Sequence, residues 1–149
     1  IYHADITGSV SGNCTTGSAA DICNPEVPTG LPYARVTAGA TTTHADVNGD
    51  FVLPYAGGAA INVTSTIVGL YFFVASASGG ELTSTVSVPS GGSVDYLHNS
   101  TNASEEERSQ VNASLHANIV RDLVLVANPS YPTIATQSNF PINVNINAT

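Results

Sequence analysis

Between Ile1 and Leu97 the chain is cut by Gly, Pro and Asn into short β-prone runs, which limits it to short strands joined by tight turns. Ile1 to Val10 reads as a first strand, followed by a polar loop between two cysteines and a stretch holding Pro25, Pro28 and Pro32. Ala34 to Ala38 is a second strand. Thr41 to Ala45 and Phe51 to Leu53 flank Asp46-Val47-Asn48-Gly49-Asp50, and Asn-Gly between β runs is a strong hairpin signal. Ile61 to Thr66, Leu70 to Ser76 and Leu82 to Val88 follow, with Gly79-Gly80 and Pro89-Ser90-Gly91-Gly92 as turns. About seven short strands in this span predict a mainly β protein built on a β-sandwich.

The pattern changes after His98. Asn99 to Ser104 is polar, and Ser104-Glu105-Glu106-Glu107 reads as a capping box with three acids at the positive end of a helix dipole. Val111, Leu115, Ile119, Leu123 and Val126 then recur at helical spacing until Asn128-Pro129 stops the run. The spacing predicts one long amphipathic helix from Ser104 to Ala127 that buries Leu115, Ile119 and Leu123 and exposes Glu105, Glu106 and Arg108. Phe140 to Asn147 alternates strictly, with Ile142, Val144 and Ile146 on one face, and predicts a C-terminal strand with no obvious local hairpin partner. Residues 1–98 are thus read as a sandwich domain, and 99–149 as linker, helix and extended strand.

The chain of 149 residues carries 42% hydrophobic but only 9% charged residues, and its net charge is −8. It has no Lys; Arg35, Arg108 and Arg121 are its only bases. So few cations exclude a nucleic-acid partner, because phosphates need neutralising, and work against an acidic membrane surface. The longest apolar run, Ile67 to Ala77, is broken by Gly69 and Ser76 and is too short for membrane insertion. The chain opens at Ile1, and it is read as a processed, exported product, secreted or at the cell surface. Cys14 and Cys23 bracket a short polar loop; as a lone pair they cannot close a zinc site, and a disulfide across an exposed loop is the expected reading. Asn-x-Ser/Thr occurs at Asn13, Asn62, Asn99, Asn102, Asn112 and Asn147, making these the candidate glycan sites, with Asn99 and Asn102 expected to be the most accessible.

No catalytic constellation emerges. Asp46, Asn48 and Asp50 resemble the start of a calcium loop, but position twelve would be Gly57 rather than a bidentate Glu, so a plain hairpin turn is expected. Glu105, Glu106 and Glu107 read as a solvated helix start, and His116 as a surface or hydrogen-bonded side chain. No Gly-x-Ser-x-Gly is present, and no Lys follows the glycines to make a phosphate loop. No catalytic residue, cofactor or resident metal is assigned, and the chain is not expected to be an enzyme.

Two stretches resemble known families. Ile6-Thr7-Gly8-Ser9-Val10, Pro32-Tyr33-Ala34-Arg35-Val36-Thr37 and Thr43 through Leu53 resemble, in order and spacing, the carboxypeptidase regulatory-like domain. That is a transthyretin- or immunoglobulin-like β-sandwich of secreted proteins, and the resemblance implies a scaffold or adhesion role. Gln110 to Asn118, Arg121-Asp122 and Phe140 to Asn145 look like the helix and strand upstream of the catalytic helix in fungalysin- and thermolysin-like zinc peptidases. Those enzymes bind zinc through His-Glu-x-x-His, and none of His3, His44, His98 or His116 belongs to such a motif. The expectation is a structural subunit of an extracellular filament or surface assembly. Copies of itself are the partners, joined by strand addition through Ile142, Val144 and Ile146 and by helix packing. The alternative is a non-catalytic accessory or pro-region of a secreted metallopeptidase, or an extracellular binding module.

Overall fold

The computed structural model describes residues 4–15 and 25–146. Among the described residues nine strands precede one helix and a tenth strand: β1 (Ile6–Cys14), β2 (Val27–Gly30), β3 (Ala34–Ala38), β4 (Thr41–His44), β5 (Asp50–Leu53), β6 (Ile61–Gly69), β7 (Phe72–Ser76), β8 (Thr83–Val88), β9 (Ser93–His98), α1 (Glu105–Ala127) and β10 (Phe140–Val144). The protein is mainly β, two sheets forming a sandwich with one long helix and a C-terminal strand. No helix is long and apolar enough to cross a membrane among the described residues.

In the first sheet β1 pairs antiparallel with β5 through Ile6–Ser9 and with β2 through Ser11–Cys14, while β9 runs parallel to it from Thr7 to Gly12. In the second, β4, β3 and β6 are antiparallel neighbours. β8 pairs with Ile61–Thr66 of β6, β7 meets β6 at Val68↔Phe73, and β10 adds to β7 in parallel. Ile6, Val10, Val36, Leu53, Val63, Ile67 and Val74 alternate inward from both sheets and make the core. Two hydrogen bonds cross between the sheets: Tyr96 Oη donates to Val63 O at 2.7 Å, and Ser65 Oγ lies 3.0 Å from His98 Nε2.

β2 and β9 were absent from the sequence-based strand set. β2 lies in the Pro-rich stretch, where Pro28 masks the pattern. β9 alternates Val94, Tyr96 and His98 inward against Asp95 and Leu97 outward, so a buried histidine replaces the third apolar residue. The first strand also runs four residues past Val10, carrying Asn13 and Cys14 into the ladder with β2.

α1 begins as expected, with Ser104 capping the Glu107 amide at 3.3 Å. The face it buries differs from the expected one. Gln110, Val111, Ser114, Leu115, Asn118 and Arg121 turn inward, while Ile119 is 48% and Leu123 68% exposed. The reason is what the helix covers. Main-chain groups outside the ladders lie beneath it, and polar side chains satisfy them: Gln110 accepts from Leu82 N and donates to Gly80 O, and Asn118 donates to Pro32 O. Arg121 Cζ stacks 3.3 Å from the Tyr71 ring centroid. Beside it Tyr33 Oη donates to Asp122 Oδ2 at 2.8 Å, and burial followed by that contact pushes the Tyr33 phenol up to about 12. Leu115 alone of the three predicted anchors is in the core.

The tail is also not without a local partner. β10 lies along β7, held by Phe140 stacking edge-on to Phe72 and by Asn145 at its end. Asn145, at φ +55°, stops the alternation, so Ile142 and Val144 are half-buried in the strand while Ile146 lies beyond it and is exposed.

Candidate functional site

The surface that stands out is the outer face of the C-terminal half of α1. Ile119, Val120, Leu123 and Val126 all face solvent there, Val126 at 83%, and Tyr131 and Phe140 add exposed apolar area nearby. A contiguous patch of this kind marks an interaction surface more often than scattered single residues do. Grooves flank it on both sides. One lies between Leu115, Ile119 and Asp122 of α1, Thr29 and Gly30 of β2, and the turn residues Val47 and Asn48. The other, about 570 Å³, runs between α1 and the 133–140 segment and is floored by Phe72, Val120, Val124, Ile134 and Phe140. Beyond it β10 presents its outer edge, which has no ladder partner among the described residues.

The polar candidates fall elsewhere. Asp46 Oδ1 accepts the main-chain amides of Asn48 at 2.8 Å and Asp50 at 3.0 Å, so this carboxylate organises the hairpin turn itself. The turn is pressed against β1 and β2. Gly49 sits at φ +93°, and a Cβ there would lie 2.4 Å from Val10 O, which makes glycine obligatory. No group of three or more His, Cys, Asp or Glu residues clusters for a metal among the described residues. At the start of α1, Glu106 Oε1 accepts from Ser78 Oγ at 2.8 Å, and Glu105 is exposed. His116 Nε2 lies 2.9 Å from Thr15 O, and so ties α1 to the end of β1. His3 lies outside the described residues.

Cys14 is wholly buried, and burial pushes its thiol up to about 12. Its end of the expected bridge is therefore in the core rather than on an exposed loop, because β1 extends through it. Cys23 lies outside the described residues, and with it the pairing.

The sequons separate sharply. Asn13 and Asn99 are buried against each other, with Asn13 Nδ2 donating to Asn99 O at 2.9 Å and Asn99 Nδ2 donating to Asn13 O at 3.3 Å. Asn99, expected to be among the most accessible, is closed to solvent because the 99–102 turn folds onto the end of β1. Asn102 is half-buried and donates to Glu26 Oε2 at 3.0 Å, the first cause of the lowered Glu26 pKa. Asn62 is exposed on β6, Asn112 is half-buried with Oδ1 accepting from Thr15 N, and Asn147 lies outside the described residues.

The apolar periodicity of α1 points to the wrong free face, and neither groove is visible in it. The signal was present in Gln110, Ser114, Asn118 and Arg121, polar residues at the spacing of one helix face. No protein-family model, curated protein or solved structure matches the chain.

Proposed function

We propose that the chain is a structural subunit of an extracellular assembly, joined to copies of itself. The observation that carries this reading is the outward apolar face of α1, where Leu123 and Val126 are left to water at the end of a helix whose polar side chains are turned inward. Covering such a face with a second copy removes apolar area from water, at about 25 cal/mol per Å². The net charge of −8 opposes the approach of a second copy, so the apolar contact has to outweigh that repulsion and added salt should favour assembly. The open edge of β10 supports strand addition, with Ile142 and Val144 staying in their own sheet and a neighbour's strand pairing outside them. The resemblance of the sandwich to carboxypeptidase regulatory-like domains supports a secreted, non-enzymatic scaffold, and the exposed Asn62 sequon is compatible with a glycoprotein.

A second reading is favoured by one observation: β10 folds back along β7, as the tail of a self-contained accessory or pro-region of a secreted metallopeptidase, or of a binding module, would. Concentration separates the two. Sedimentation and electron microscopy of the purified chain should show linear oligomers that grow with concentration. Leu123→Asp with Val126→Asp should abolish them while leaving the thermal midpoint in place, because both side chains are exposed. A chain that stays monomeric at high concentration would replace the assembly reading with the accessory one.

A further inference from the structure

An asparagine-linked glycan has to stand in solvent once the chain is folded, whether it is attached before folding or after. Burial in the finished fold therefore decides which sequons can carry one. Asn13 and Asn99 fail that condition, since both are buried and each side-chain amide donates to the other's main-chain carbonyl. Asn102 and Asn112 are half-buried, and their side chains are tied to Glu26 and to Thr15. Among the described sequon asparagines Asn62 alone is exposed.

The fold explains why. Val63, Ser65 and Ile67 of β6 turn into the sandwich, so Asn62, Thr64 and Thr66 stand on the outer face of the second sheet. Ser87 of β8 lies directly across from Asn62 on one side. On the other, β3 ends at Ala38 opposite Val63 and gives way to the exposed Gly39-Ala40 turn. The next rung runs Thr42, Thr37, Thr64 and Thr85 across four strands, with Thr64 Oγ1 2.8 Å from Thr85 Oγ1. Neither rung holds a charged side chain. A face of neutral hydroxyls can both donate to and accept from the hydroxyls of a sugar.

We propose that Asn62 carries an N-linked oligosaccharide and that Asn13 and Asn99 stay unmodified, an inference that rests on the exported reading but not on assembly. In the transfer, Asn62 Nδ2 bonds to C1 of the first sugar. The C1–O bond to a polyisoprenyl diphosphate carrier breaks, and the amide gives up one proton. Thr64 supplies the hydroxyl that the sequon requires two positions on. The attachment point is clear of the α1 face: β6 meets β7, on which α1 packs, at Val68, roughly 20 Å along the strand from Asn62.

The test is expression of the full chain behind a secretion signal in a eukaryotic host, followed by glycopeptide mapping of the folded, secreted protein. Peptide N-glycosidase should release a glycan and leave aspartate at position 62, with Asn13 and Asn99 read as plain asparagine. Thr64→Val should abolish the modification and Thr64→Ser should retain it. Asn62→Gln should remove the glycan while keeping the circular dichroism of the fold, because the position is exposed. Secreted protein that is unmodified at Asn62, or that folds with a glycan on Asn13 or Asn99, would overturn the assignment while leaving the exported reading intact. A chain that the host retains and degrades would overturn both.

Discussion

His98 Nε2 lies 3.0 Å from Ser65 Oγ, in a contact closed to solvent between the two sheets. Burial lowers the His98 pKa to about 4, so the imidazole is neutral in the folded protein at pH 7. The unfolded chain takes up this proton near the ordinary histidine value, above the folded one. His98 therefore leaves stability intact above about pH 6.5 and removes it progressively as pH falls toward about 4, by an order of ~3 kcal/mol in all. Urea unfolding at pH 7 and pH 4.5 should show that loss, and His98→Gln should flatten the difference. An unchanged pH dependence in the variant would place the acid sensitivity in the carboxylates instead.

The inverted helix gives a pair of opposed expectations. Leu115→Ala should cost ~2–4 kcal/mol because the side chain is buried in the core. Ile119→Ala, four residues on, should cost under ~1 kcal/mol in the monomer. Chemical denaturation of the two variants at a concentration below assembly checks both values. Equal costs would restore the face read from apolar periodicity.

Asn145 joins three elements. Its Nδ2 donates to Glu106 O at 3.2 Å and to Ser76 Oγ at 2.8 Å, and its Oδ1 accepts from Ser109 Oγ at 2.6 Å. Asn145→Ala removes these bonds and puts alanine at positive φ, for a loss of ~2 kcal/mol, whereas Asn145→Gly should lose less because glycine tolerates that backbone. Hydrogen exchange should show faster exchange confined to β10 and the first turns of α1. Protection that is unchanged there would mean the tail is held by Phe140 and Val144 alone.

The Asp46 turn should not depend on metal. Adding a calcium chelator should leave the thermal midpoint where it was, while Asp46→Ala should lower stability by ~1 kcal/mol through loss of its two main-chain hydrogen bonds. A fall of many degrees on chelation would make this a calcium-stabilised module.

What could be read in the sequence depended on whether local pattern and burial agreed. β3 was found to the residue because Ala34, Val36 and Ala38 alternate inward between Arg35 and Thr37. The Asn48-Gly49 turn and the Ser104 cap were legible because their chemistry is local. β9 was not, since His98 is buried through a bond to Ser65 on another strand. The docking face of α1 was misread for the same kind of reason: Gln110 and Asn118 are inward because of unpaired main-chain groups at Gly80, Leu82 and Pro32, which periodicity along the helix does not encode. The flanking grooves depend on how the helix is seated, and so they were invisible until that face was known.

The parallel pairing of β1 with β9 also bears on how the chain comes to be folded. Ser9 Oγ donates to Asp95 Oδ1 across 86 positions of sequence, so one side of the first strand must wait for nearly two thirds of the protein to be made. Contacts of such separation form late and slowly. Until then β1 has β5 and β2 on one side only, and a fragment ending before Ser93 keeps the other side permanently bare. An incomplete or clipped copy would thus carry an edge ready to pair with any neighbouring strand. Arrival of the ninth strand withdraws that edge from circulation.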